Sequence, residues 1–224
     1  MRGVAAGARK PKSRFGSTLE RMSHIRIWFF EREGRDLVRI SQCEMIESFL
    51  DVVRDYSSSV ALALLSEITE RVLPEREASD PNFRLLLLSA QTMKRTGKSE
   101  VPLAYFALWT VKLGGWLPSL DRCGHCGREL RGDEQGYFFT RASALACAKC
   151  RVPGMRVASP DVLRLARKML TEKLDRLTDA PANGGSESVL KGEAVKELTG
   201  LMLDVIEHQI DRKLKSRELL EELA

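Results

Sequence analysis

Histidine is scarce, with three in 224 residues, and none of His24, His125 or His208 sits in an H-E-x-x-H or triad context. Neither G-x-x-x-x-G-K-[ST] nor a strand-to-helix G-x-G-x-x-G occurs, so the chain lacks the backbone cradles that nucleotide phosphates occupy. Long apolar runs are missing too. Uncharged stretches such as Val101 to Val111 fall far short of the roughly 18 residues of a membrane span, and the basic Met1–Arg14 segment has no apolar signal-peptide core. Five cysteines, an odd number, and no export signal argue against a secreted disulfide framework and for a reduced cytoplasm. What is present, 43% hydrophobic and 30% charged residues, suffices to bury a core in one large or two modest domains. The pattern is that of a binding protein without catalytic machinery.

The net charge of +5 is unevenly spread. Residues 1–40 hold ten Lys and Arg against four acids, whereas the other 184 residues hold 26 against 27. A positive field concentrated at one end suits an anionic polymer.

Periodicity predicts an α+β chain, mostly helical. Ile25, Ile27 and Phe29 alternate with Arg26, Trp28 and Phe30, the period of a strand, and Gly34 marks a turn into a second strand at Leu37–Ile40. From Ser41 the spacing becomes helical, with Ser41 and Glu44 at capping-box distance and Cys43 in the first helical turn as a small apolar residue. Further helices are expected at 59–72, at 81–96 with Asp80 as N-cap and Pro81 in first position, at 100–113 closed by Gly114, and from Ser159 to Leu177. A loop at Thr178–Ser188 precedes a long amphipathic helix with Val195, Leu198, Leu201, Met202, Val205, Ile206 and Ile210 on one side. The expected divisions are 1–40 (basic β segment), 41–118 (helical), 119–153 (cysteine module) and 154–224 (helical).

The sharpest signal is Cys123-Gly-His-Cys126-Gly, then Cys147-Ala-Lys-Cys150 after twenty intervening residues. Two Cys-x-x-Cys pairs at this distance can place four thiolates around one zinc, each pair forming a tight knuckle. Gly127 can take the positive φ that such a turn often needs, and Tyr137–Thr140 supplies a strand between the pairs. The other reading is a redox or disulfide pair, but that usage follows a strand in a thioredoxin-like βαβ unit, and the surroundings here are helical. Four cysteines close a structural site, leaving His125 outside it and no open position for metal catalysis.

The run Arg9-Lys10-Pro11-Lys12-Ser13-Arg14-Phe15-Gly16 interleaves cations with an aromatic. Cations neutralise phosphates and Phe15 or Trp28 can stack on a base, the equipment of single-strand binders; a solvated charged loop has the same composition. The segment Gly3–Glu20 resembles the motif after the third strand of the N-terminal OB-fold in the bacterial RecO family. Ile40–Phe49 resembles the start of that family's helical domain, Leu120–Gly127 its zinc site, and Lys213–Arg217 a stretch near its C-terminus. Met1–Val4 resembles an internal stretch, so the first barrel strands are expected to be missing and the OB-fold partial.

The resemblance implies a non-enzymatic mediator of DNA repair and recombination. Such proteins bind single- and double-stranded DNA, anneal complementary strands, contact the acidic C-terminal tail of single-stranded DNA-binding protein, and act with RecR to load RecA, in the cytoplasm at the nucleoid and not at a membrane. It implies one structural zinc on Cys123, Cys126, Cys147 and Cys150, and DNA contacts by Arg9, Lys10, Lys12, Arg14, Phe15 and Arg21. An acidic, apolar-ended tail needs cations beside hydrophobic side chains. Region 81–113 offers Arg84, Lys94, Arg95 and Lys98 with Phe83, Tyr105, Phe106 and Trp109, most of these aromatics being expected in the core. Two rivals stand beside this reading: a zinc-stabilised helical adaptor that binds only protein, and a thiol-disulfide enzyme.

Overall fold

The strand pattern that begins at Ile25 continues past Ile40. In the computed structural model, which describes residues 2–20, 22–140, 143–179 and 192–222, β1 (Arg2–Val4), β2 (His24–Phe30) and β3 (Leu37–Glu47) form one sheet in the order β1-β3-β2. β1 runs parallel to β3 and β2 antiparallel to it. Ser41, Cys43 and Glu44 therefore lie in a strand and not in the expected helix. The register explains why. Trp28 pairs with Gln42 and Phe29 with Ile40, which leaves Ser41 as the extra residue of a β-bulge. Its hydroxyl donates to the Trp28 carbonyl at 3.0 Å, and Glu44 accepts from Arg26 across the strands at 3.1 Å. The spacing that reads as a capping box serves the sheet.

After a 3-10 turn at Val52–Arg54, the helical body comprises α1 (Tyr56–Val72), α2 (Asp80–Thr96), α3 (Glu100–Leu113), α4 (Pro160–Thr171), α5 (Leu174–Asp179), α6 (Gly192–Gln209) and α7 (Lys215–Glu221). α3 is apolar nearly all round, which demands burial on every side, and it packs against α1, α2, α4, α5 and α6. Asp55 caps α1 by accepting from the Ser58 N–H at 2.9 Å. At α2 the cap position belongs to Ser79, and Asp80 is the first helical residue, where an acid still suits the positive end of the helix dipole.

The single helix expected from Ser159 to Leu177 is broken at Glu172, whose backbone is extended. The break lets α5 bury Leu174 and Leu177 beside α2 and α3. Thr178 and Asp179, expected in a loop, close α5; the rest of that loop lies outside the described residues. α6 buries Val195, Leu198, Leu201, Met202, Val205 and Ile206 as its periodicity predicts.

α7 has no counterpart in the sequence reading. Glu67 on α1 accepts from the backbone N–H groups of Lys215 at 3.1 Å and Ser216 at 2.9 Å, serving as a cap supplied from another helix. Burial alone would push the Glu67 carboxyl up, but these two donors hold it below its ordinary value. Glu207, its side chain only 5% exposed, accepts from Lys213 Nζ at 2.8 Å, the Leu214 N–H at 2.9 Å and Arg217 at 3.0 Å, so the turn from α6 into α7 is organised around one buried carboxylate.

The sheet joins this body through α2. Glu47 accepts from Gln91 at 2.7 Å and Lys94 at 3.1 Å, and Lys94 also donates to the Ser48 carbonyl at 2.9 Å. Among the described residues no helix is long and apolar enough to cross a membrane.

Candidate metal centre and nucleic-acid interface

Between α3 and α4 a second sheet, β4 (Gly136–Phe139), β5 (Ala144–Ala146) and β6 (Arg156–Ala158), takes the order β5-β4-β6. Phe138 and Leu145 are buried at 2% and 0% exposure, so this small sheet is welded to the helical core. A Cβ at Gly136 would lie 2.7 Å from Leu145 Cδ1, so any side chain there would have to displace that buried leucine.

The two knuckles converge at its edge. Cys123 N–H donates to the Arg128 carbonyl at 2.8 Å, Gly127 N–H to the Cys123 carbonyl at 2.9 Å, and Gly124 N–H to the Leu145 carbonyl at 2.8 Å, which pins the first knuckle to β5. Gly127 has φ 71°, the left-handed conformation expected of it. The Sγ atoms of Cys123, Cys126, Cys147 and Cys150 all lie within 4.8 Å of one another, and Cys126 and Cys147 Sγ are 3.9 Å apart. Bonds of about 2.3 Å at tetrahedral angles would put sulfurs about 3.8 Å apart, whereas a disulfide needs about 2.05 Å. All four are free thiols in one cluster, not two separate pairs. His125 is exposed and outside the donor set.

Burial works against ionising Cys123, yet the N–H groups of Cys126, Cys147 and His125 bring its thiol down to about 6. Cys150 is pushed up to about 12, first by its hydrogen bond to Cys126 and then by burial and its other sulfur neighbours. Burial opposes ionisation of Cys147 as well, but the N–H groups of Cys150 and Lys149 lower its thiol, so the cluster favours negative charge at Cys123 and Cys147 and resists it at Cys150. A soft divalent cation among the sulfurs removes that resistance, so the donor set fits a metal such as zinc. Arg128, clamped by Glu134 at 3.0 and 2.7 Å, also favours the ionised form of Cys147. Spacing gives no sign of either residue.

The basic arm is more ordered than its composition suggests. Residues 5–20 form successive turns, with Ala8 N–H to Ala5 O, Lys10 to Gly7, Ser13 to Lys10 and Thr18 to Phe15 at 3.0–3.1 Å. Arg9, Lys10, Lys12 and Arg14 are exposed and have no carboxylate partner among the described residues. Phe15 differs from expectation: at 1% exposure it anchors the arm and has no face to offer a base, while the Arg14 guanidinium lies over its ring at 5.0 Å. Arg21 lies outside the described residues.

On the helices the four expected cations have different fates. Lys94 is held by Glu47, as above. Arg95 pairs with Asp175 at 2.9 Å and with Asp179, clamping α5 to α2. Arg84 makes an exposed pair with Asp80, and Lys98 is exposed. Tyr105 and Phe106 are core, Trp109 donates to the Met169 carbonyl at 3.0 Å, and Phe83 is exposed. A recess of about 320 Å³ that periodicity did not reveal lies nearby, where Leu103, Val195, Leu203 and Leu220 meet Arg156 and Arg217.

An N-terminal sheet with a basic arm, joined to a helical body that carries a four-cysteine centre of metal-binding type, defines the class of this α+β protein. Residues 1–49 match the family described as Recombination protein O N terminal, and residues 53–218 match Recombination protein O C terminal. The chain belongs to the RecO family. It is 30% identical over 223 residues to the DNA repair protein RecO of Koribacter versatilis, covering 100% of this chain and 87% of that protein. The DNA repair protein RecO of Symbiobacterium thermophilum is 31% identical over 222 residues, covering 98% and 85%. That of Streptomyces coelicolor is 29% identical over 228 residues, covering 99% and 87%.

Proposed function

We propose that the chain is a non-enzymatic DNA-repair mediator that binds single- and double-stranded DNA, anneals complementary strands and, with RecR, helps load RecA on DNA coated by single-stranded DNA-binding protein. The observation that carries this reading is the match to both RecO family descriptions across nearly the whole chain. Physical support comes from the exposed arm of Arg9, Lys10, Lys12 and Arg14, whose charge suits a phosphate backbone and whose turn-rich segment has no rigid element to set against base edges.

Cys123, Cys126, Cys147 and Cys150 hold one zinc in this reading. Four thiolates leave no open coordination position, so the ion staples the chain between α3 and α4 and does no chemistry. The acidic tail of single-stranded DNA-binding protein docks on the helical body. Arg84 and Lys98 are the more accessible of the four expected cations, and the recess at Leu103, Leu203 and Arg217 supplies the apolar part.

Titrating the full chain with a labelled single-stranded oligonucleotide at several salt concentrations tests the reading. Affinity should fall steeply with salt, as counterion release requires. A salt-independent interaction, or none at low salt, would replace it with the protein-only adaptor.

A further inference from the structure

The recess in the helical body is apolar at Leu103, Val195 and Leu203 and cationic at Arg156 and Arg217. Asp204 joins the two guanidiniums, accepting from Arg156 and, at 2.7 Å, from Arg217. Burial holds Arg156 below its ordinary value and the charge of Arg217 adds to that, whereas Glu197 and Glu221 draw it back up. Glu221 belongs to the last turn of α7, and its carboxylate also accepts from Arg217 Nε at 2.8 Å. Leu220, one residue earlier, lines the same recess and packs against the core. α7 has seven residues and buries none of them, too little for a helix to be stable alone. Its first turn is fixed by Glu67 at Lys215 and Ser216 and by Asp204 and Glu207 at Arg217. The ion pair of Glu221 lies within α7, so it neutralises Arg217 without tying the last turn to another element.

We propose that the last turn of α7 is a tethered competitor for this recess: Leu220 and Glu221 hold the apolar and cationic positions that an acidic, apolar-ended peptide takes, and such a peptide binds by displacing them. The inference rests on the docking of an acidic tail proposed above and adds its regulation. The chemistry of the segment carries it, because Glu218-Leu219-Leu220-Glu221-Glu222 combines carboxylates with leucines, as the recess requires. Its attachment at Arg217 keeps its local concentration high, and an incoming peptide must offset the fraction of time the turn is closed. Displacement costs little in ion pairing. The new carboxylate replaces that of Glu221 at Arg217, and the Glu221 side chain, 65% exposed, is already largely in water. Only the final turn has to unwind, and chain ends open at the lowest free-energy cost. An acidic segment that cannot replace both Leu220 and Glu221 leaves the turn in place, so the device excludes weak competitors.

The test uses the full chain and a labelled peptide, Asp-Asp-Asp-Leu-Phe with a free C-terminal carboxylate, followed by fluorescence polarisation. Glu221→Gln should tighten binding about 2- to 5-fold, the contribution of an exposed ion pair. Ending the chain at Glu218 removes Leu220 as well and should tighten it about 10-fold; if that variant loses its thermal transition, Glu221→Gln decides. Glu222→Gln makes the same charge change outside the recess lining and should leave affinity unchanged. In the unmodified chain, bound peptide should speed amide exchange at residues 219–222 and leave 215–217 protected. Equal gains from Glu221→Gln and Glu222→Gln would reduce the effect to general charge attraction and overturn the proposal. So would weaker binding by a folded variant with slower exchange at 219–222, since α7 would then be a wall of the recess and not its occupant. If neither the unmodified nor the shortened chain binds the peptide, the tail-docking reading falls as well; binding that ignores Glu221 and the last turn defeats this inference alone.

Discussion

The two ends of this chain solve the burial problem differently. The helical body encloses α3 on every side and brings the small β5-β4-β6 sheet into the same core, so Leu108, Leu145, Leu165 and Val205 all sit at 0% exposure. The N-terminal sheet buries little beyond Val38 and Phe15 and leaves Val4, Trp28, Phe29, Phe30 and Leu37 at 40% exposure or more. It meets the body through polar contacts at Glu47 and Lys94 and at Arg76, and through His24 packed edge-on against Phe83 at 5.5 Å. One region is built to be stable and the other to present a surface, so changes in the first should cost stability and changes in the second should cost binding.

The largest effect that would sharpen this contrast is loss of a sulfur. Cys123→Ser should release the proposed zinc and destabilise the helical body by several kcal/mol, because metal-binding energy there is folding energy; for a chain of this size that is a fall in Tm of about 10 °C. Metal analysis alongside thermal denaturation checks it, and an unmodified chain purified without metal would break the comparison outright.

Glu207→Ala should come next, at about 3 kcal/mol, because it strips a buried carboxylate from Arg217, Lys213 and the Leu214 N–H. Urea denaturation at neutral pH reads it out.

A smaller cost, about 1 kcal/mol, is expected for Glu67→Gln, which weakens the cap of α7. Here the pH dependence carries a sign. Because Glu67 is held below its ordinary value of 4.5, its contribution is present in full above that value and is lost as pH falls through the lowered one. The gap between the parent chain and the variant should therefore be widest near neutrality and close in acid.

The smallest effect on stability, and a large one on binding, belongs to the arm. Replacing Arg9, Lys10, Lys12 and Arg14 together with Ala should leave Tm within about 1 °C, since exposed, unpaired charges contribute little. The salt slope for single-stranded DNA should meanwhile fall by up to about 3, at roughly 0.7 for each phosphate released. An unchanged slope with a collapsed Tm would invert the contrast between the two regions.

Local chemistry was legible wherever it is read over a few residues. The Cys-x-x-Cys spacing brought out all four sulfurs, Gly127 its positive φ, and the apolar period of α6 its buried face, because each depends only on near neighbours along the chain. The strand at Ser41–Glu47 was misread because a bulge residue and a cross-strand acid mimic a capping box, and only their partners on β2 tell the two apart. Phe15 looked like a free aromatic in a basic run, yet it is 1% exposed, which the composition of the run does not show. The same holds for Lys94 and Arg95, whose carboxylate partners Glu47, Asp175 and Asp179 lie far away in sequence, and for Glu67, which caps a helix that begins well over a hundred residues later. Side-chain type and spacing set which groups are available, while distance in space sets which of them remain free, and a chain that folds back on itself makes the second independent of the first.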